Sequence, residues 1–246
     1  MKYLAGSIYP VLLVLIAAVL WNNTAIRTTI KENKKSILIF LFLNFAIINV
    51  LLFFHLRQEQ FIAYWDFGGF WRKSVEFNQM MNRSVKEAMD NLWFSLNYSE
   101  YSFLPEWFLY FPTQLLGNTY PRFILAMFNS FILPANLILY IFSLMIIEKN
   151  KLTVKKFFLG MLIATFAGNL YSMVFGYIGS VGLPFITSIL LLVHADGLEK
   201  FNWRNNIFIG LSMMILLLVR RWFAYWIVGF YVAYTLAYLI RGGIDR

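Results

Sequence analysis

Asp66 is the acid most exposed to chemistry in this sequence, because it stands among aromatic residues in Tyr64-Trp65-Asp66-Phe67-Gly68-Gly69-Phe70-Trp71. Rings around a carboxylate strip it of water, which raises its pKa toward that of a useful general base. The competing reading is a solvated loop aspartate that caps the following helix. Arg220 and Arg221 form the second feature, since they interrupt a run that is otherwise apolar from Ile207 to Ile240. A charge deep in a membrane segment costs about 2.5–3.5 kcal/mol on insertion scales, so it normally faces a cavity or a partner. Adjacent guanidiniums can hold a phosphate or pyrophosphate bidentately. The simpler alternative is a turn whose side chains snorkel to the interface. Tyr98, Glu100 and Tyr101 make a third cluster, suited to stacking and hydrogen-bonding a sugar, although aromatic belts also form at membrane interfaces.

Other polar positions read as structural. Asn129 and Pro134-Ala135-Asn136 fit a helix kink with local hydrogen bonds. Gly176, Gly179 and Gly182 with Pro184 fit a loop or a broken helix top. His55 and His194 stand at the ends of apolar runs as boundary residues, and without cysteine neither a disulfide nor a thiolate metal site can be built. No phosphate-binding glycine loop, nucleophile elbow or helical histidine pair occurs, so an enzyme here must take its substrate from the membrane.

The elements that must position these residues follow from composition. The chain has 246 residues, 60% hydrophobic and 13% charged, with a mean hydropathy of +0.65, against about 45–50% apolar and about 25% charged in soluble domains. Lipid offers no hydrogen-bond partners, and these unbroken apolar runs lack the alternation of barrel strands, so the spans are helices. Leu4–Trp21, Ser36–Phe54, Phe123–Ile147, Phe157–Ile178 and Trp222–Ile240 are long enough, while Val181–Val193 and Ile207–Val219 are short and must lengthen or tilt. The expectation is an all-α integral membrane protein of about seven transmembrane helices, residues 1–246 forming one polytopic domain. Leu4–Trp21 is read as a retained helix, because no small-residue cleavage site precedes Trp21.

With seven crossings and the N-terminus outside, one side collects Arg27, Lys31, Lys34, Lys35, Lys149, Lys151, Lys155, Lys156, Lys200, Arg204, Arg241 and Arg246, twelve of the 21 basic residues. That side is the cytoplasm of a multi-pass cell-membrane protein. The net charge of +9 is explained by basic loops beside anionic membrane lipid, with no nucleic acid partner. The segment His55–Trp107 then lies outside with seven acids, Glu59, Asp66, Glu76, Glu87, Asp90, Glu100 and Glu106. Within this external loop of about 55–121, Phe70, Ser74, Phe77, Met81, Val85, Ala88 or Met89, and Leu92 recur at helical spacing. They predict an amphipathic interfacial helix over Gly69–Leu96, entered through flexible Gly68 and Gly69. The ten-residue, largely apolar stretch Trp107–Leu116 is too short to span and predicts a re-entrant or interfacial piece.

In order along the chain, Trp65-Asp66-Phe67-Gly68-Gly69-Phe70-Trp71-Arg72-Lys73-Ser74, then Asn97-Tyr98-Ser99-Glu100-Tyr101-Ser102-Phe103-Leu104-Pro105, then Arg220-Arg221-Trp222-Phe223-Ala224-Tyr225-Trp226, resemble polytopic GT-C-type glycosyltransferases of bacteria. The resemblance implies transfer of a sugar from a polyprenyl-phosphate-linked donor to a glycan, lipid or protein acceptor at the outer face of the membrane. It places Asp66 as general base or as a carboxylate associated with a divalent metal (Mg or Mn). It also implies that Arg220, Arg221, Tyr98, Glu100 and Tyr101 bind substrate. The chain departs from the family where Asp66 has no acidic neighbour nearer than Glu59 or Glu76, where two helices rather than one precede the acidic loop, and where it ends at Arg246. The remaining part of such an enzyme then falls to a partner subunit, or the chain is inactive alone. The rival expectation is a non-catalytic membrane protein, a transporter or a subunit of an envelope polysaccharide assembly.

Overall fold

The apolar runs fold as helices, and every element among the described residues of the computed structural model is helical. It describes residues 6–58, 65–99, 101–146, 157–158, 178–197 and 202–244. Helix α1 (Ile8–Asn22) turns by 93° into α2 (Thr24–Glu32), and α3 (Lys34–Gln58) follows. The acidic loop contributes α4 (Trp65–Arg83), α5 (Val85–Tyr98) and α6 (Leu104–Leu116). Helices α7 (Tyr120–Met127) and α8 (Leu133–Ile146) run on through a π-turn at Phe128–Ile132. A 3-10 turn at Ile178–Gly182 leads into α9 (Leu183–Asp196), and α10 (Trp203–Val219) and α11 (Phe223–Ile244) follow.

Among the described residues four stretches are long and apolar enough to cross a membrane, namely Lys34–Phe54, Tyr120–Ile146, Gly179–Asp196 and Phe223–Ile240, and the bent pair α1–α2 would make a fifth. The weak expectation at Val181–Val193 thus lengthens into a full span by recruiting the 3-10 turn, whereas α10 stays shorter. The expected span Phe157–Ile178 lies almost wholly outside the described residues. Burial sorts the four. Tyr120–Ile146 and Gly179–Asp196 have more than half of their residues buried and form the centre, Lys34–Phe54 has about a quarter, and Phe223–Ile240 has none fully buried and meets the core only through partly buried Phe223, Trp226, Ile227 and Phe230. Outward apolar faces of that size suit a lipid surround.

Fully buried rings hold the centre together. Tyr9 of α1 lies 4.4 Å from Phe131 of the π-turn and 5.5 Å from Phe108 of α6, and Phe108 lies 6.4 Å from Phe185 of α9. Tyr9 also answers a backbone problem. Pro134 has no N–H to donate to the carbonyl four residues earlier, and that carbonyl, on Ser130, accepts the Tyr9 hydroxyl at 2.6 Å. Tyr9→Phe is therefore expected to lower unfolding stability in detergent by about 1–3 kcal/mol, the cost of an orphaned buried acceptor. Wild-type stability in chemical denaturation would show that this carbonyl needs no donor.

The long helix α7–α8 is held by partners on a neighbouring helix as well as by local bonds. Asn49 and Asn129 exchange reciprocal amide hydrogen bonds at 3.1 and 2.9 Å, Asn136 donates to Asn44 at 3.3 Å, and Ser36 pairs with Tyr140. These rungs fix α3 antiparallel to α7–α8, as polar side chains do between membrane helices. At the other end of the bundle Asp196 accepts from Asn23 at 2.7 Å and from Asn205 at 2.6 Å. That carboxylate ties the α1–α2 bend to the end of α9 and the start of α10.

The acidic loop departs from its expected form in three ways. The single amphipathic helix is broken at Ser84, whose hydroxyl accepts the Glu87 backbone N–H at 3.3 Å and starts α5 as a new helix. Gly68 and Gly69 lie inside α4, not in a flexible entry, so Asp66 belongs to the first turn of a helix. The piece expected at Trp107–Leu116 begins earlier, at Leu104 with Pro105 in the first turn, and is packed into the protein through Leu104, Phe108, Leu109 and Tyr110. It stops at Gly117, whose φ of 97° few other residues adopt.

Candidate functional site

The turn between α10 and α11 and the loop between α5 and α6 meet, although more than a hundred residues separate them. Arg220 caps α10 in an extended conformation, and the bonds from Phe223 N to Arg220 O and from Ala224 N to Arg221 O, each 3.0 Å, then start α11. Gly182 permits this turn to sit close. A Cβ there would lie 2.5 Å from the Phe223 ring and 2.7 Å from Leu216, the residues flanking the arginine pair. The facing loop is anchored from both directions. Ser102 donates to the Leu218 carbonyl at 2.6 Å, Phe103 N–H bonds to Ser95 Oγ at 2.9 Å, and the Tyr101 carbonyl accepts from Ser99 Oγ and from Lys73 Nζ, each at 3.0 Å.

Tyr101 is thereby held as a platform. The Arg220 guanidinium lies 5.2 Å from its ring centroid and reaches its hydroxyl at 3.5 Å, and Lys73 Nζ lies 5.5 Å from the same ring. Two cations against one aromatic ring gain from its negative faces. The Phe70 ring meets Tyr101 edge-on at 5.8 Å. Phe70 is one helical turn beyond Asp66, so the first turn of α4 is brought to the same place, with Asp66 described in its backbone only.

The expected site residues divide accordingly. Tyr101 and Arg220 are in contact, and Arg220 is buried while Arg221 is exposed. Arg221 reaches the Asn97 carbonyl at 3.5 Å, the long limit for a hydrogen bond. Tyr98 is the last residue of α5, 76% exposed, with its ring on Phe94, and makes no contact with the Tyr101 platform. Glu100 lies outside the described residues. Among the described residues no three histidine or acidic side chains come together to hold a metal ion.

Two residues of this place were not singled out by sequence reasoning. Lys73 looked like one more charge on a wet helix face, and Glu106 like one of seven acids in an external loop. Glu106 is 2% exposed, and its Oε2 has no hydrogen-bond partner among the described residues. Burial pushes its carboxyl up to about 8, against smaller lowering effects from its own backbone N–H and from Lys73, with Glu76 raising it further. Because the folded pKa lies above the ordinary 4.5, the folded protein holds this proton more tightly than the unfolded chain. The resulting stability is full below about 4.5 and is lost as pH rises through about 8. The available signal was the setting of Glu106 between Pro105 and Trp107-Phe108, in a stretch otherwise apolar.

No protein-family model, curated protein or solved structure matches this chain. The functional reading therefore stands on the residues and their geometry.

Proposed function

We propose that the chain is a membrane glycosyltransferase of GT-C-like core, about seven spans in all, that passes a sugar from a polyprenyl-phosphate carrier to a glycan, lipid or protein acceptor. The acidic loop and its helices face the non-cytoplasmic side. Arg220 neutralises the lipid phosphate as it departs, with Arg221 at the rim, and Tyr101 offers a ring and a hydroxyl to the sugar. Asp66 takes the proton of the acceptor hydroxyl that attacks the anomeric carbon, and the configuration inverts.

The observation that supports this best is the Tyr101 platform itself, on which Arg220 lies and against which Phe70 places the first turn of α4. An anion-binding guanidinium and the helix that carries the acid thus share one end of the bundle. A second reading, a non-catalytic subunit of an envelope polysaccharide assembly, draws support from α11, which packs on the core only through partly buried Phe223, Trp226, Ile227 and Phe230 and leaves Tyr225, Val228, Tyr231 and Leu236 exposed. Reconstituted protein is expected to bind a fluorescent polyprenyl phosphate saturably and to release polyprenyl phosphate from a polyprenyl-phosphate sugar when acceptor is supplied. Saturable binding with no turnover for any acceptor would favour the subunit reading, and no saturable binding would overturn both uses of the lipid.

A further inference from the structure

Glu106 occupies a place where an ordinary carboxylate is not expected. It sits in the first turn of α6, and α6 packs against α1, α4, α7, α10 and the 3-10 turn before α9. Of the charged groups on these neighbours, Lys73 and Glu76 of α4 act on Glu106, while α4 also carries Asp66, Arg72 and Arg83, α10 carries Arg204 at its start with Arg220 capping its end, and α7 carries Arg122. Arg122 lies at the opposite end of α6, beside Gly117. Helix α1 and the 3-10 turn bring no charged side chain among the described residues, α1 offering only the phenol of Tyr9. Glu106 feels Lys73 as attraction and Glu76 as repulsion. Lys73 in turn shares the Tyr101 ring with Arg220. Proton state at Glu106 and positive charge at the platform are thus electrostatically joined through Lys73.

We propose that Lys73 and Arg220 form an anion site for the phosphate of a lipid, and that Glu106 makes this site proton-linked: the anion is held while Glu106 carries its proton and is released when Glu106 ionises. The idea rests on the assignment of the lipid phosphate to Arg220 and adds what controls it. A neutral Glu106 leaves the charge of Lys73 uncancelled, whereas an ionised one places a negative charge beside it and competes with the incoming anion. The sign is fixed by burial, which keeps the acid protonated up to about 8. Binding is therefore tight below that pH and weakens above it, and by reciprocity a bound anion makes Glu106 harder to ionise.

The test uses the full chain in lipid nanodiscs and a polyprenyl phosphodiester, whose single negative charge does not change over the range. Wild-type affinity is expected to fall about tenfold between about pH 7 and about pH 9, from loss of one favourable charge balance at intermediate dielectric. Glu106→Gln, which copies the shape of the neutral acid, should keep the tight affinity and lose the pH dependence. Lys73→Met should bind weakly at both pH values. Should Glu106→Gln fail to fold, infrared titration of the wild-type protein reads the same link, since the neutral carboxyl band must persist to higher pH when the lipid is bound. Soluble dimethyl phosphate binding as tightly as the lipid would overturn the lipid assignment. A pH-independent wild-type affinity, or a lipid that leaves the carboxyl band unmoved, sinks the proton link and leaves the transferase reading standing. Absence of lipid binding at every pH sinks both.

Discussion

Asp66→Asn is expected to reduce sugar transfer by about 10²–10⁴-fold, the usual contribution of a positioned general base, while leaving lipid binding and the fold intact. The substitution keeps size and shape and removes only the capacity to take a proton. Asp66 stands in the first turn of α4, one turn before Phe70, while the rest of the helix is held in the protein by Phe77, Asn78 and Met81. Its loss as a charge therefore leaves the helix anchored through Phe70 on Tyr101 and through Asn78 on Thr113 at 2.9 Å. Single-turnover transfer from a polyprenyl-phosphate sugar separates the two quantities, because the lipid is bound before the chemistry is timed. Full-rate transfer by the variant would remove Asp66 from the reaction. Glu106 would then be the acid to test, and a rate that rises with pH through about 8 would report its deprotonation.

How far the sequence reached is visible in single residues. The long spans were legible because apolar length and the absence of alternation belong to local chain chemistry, and they mark Tyr120–Ile146 and Phe223–Ile240 without tertiary information, whereas the central Gly179–Asp196 read as too short. Ser84 was legible too, since Ser84-Val85-Lys86-Glu87 has the spacing of a capped helix start, but the apolar period running through it hid the break. The asparagines of α7–α8 suggested local bonding, and their partners Asn44 and Asn49 could not be named before α3 was known to lie antiparallel to them. Glu106 shows the limit most sharply. Its apolar setting beside Pro105 and Trp107 was a local hint, but its burial arises only when α1, α4 and α10 close around α6. Likewise the spacing of Tyr98 and Tyr101 suggested one cluster, but Ser99 ends α5 and the two side chains leave in different directions, one exposed and one under Arg220.

Arg220→Gln is expected to weaken polyprenyl-phosphate binding by about 10–100-fold, whereas Arg221→Gln should cost less than about threefold. The difference follows from burial. Arg220 is 8% exposed and lies on the Tyr101 ring, so an ion pair formed there is poorly screened, and charged hydrogen bonds of this kind contribute about 1.5–3 kcal/mol. Arg221 is exposed and its guanidinium reaches the Asn97 carbonyl at the 3.5 Å limit, and exposed pairs contribute about 0–1 kcal/mol. Glutamine retains hydrogen-bonding capacity, which limits loss of structure at the end of α10, where the backbone is in any case fixed by the Arg220 N–H to Leu216 O bond of 3.0 Å. Titration of labelled lipid against each variant at low and at raised salt checks the point. The Arg220 contribution should resist screening and the Arg221 contribution should disappear. Equal losses at the two positions would mean that the phosphate is met at the rim and never reaches the platform, and the sugar-transfer geometry would then have no anion site at its centre.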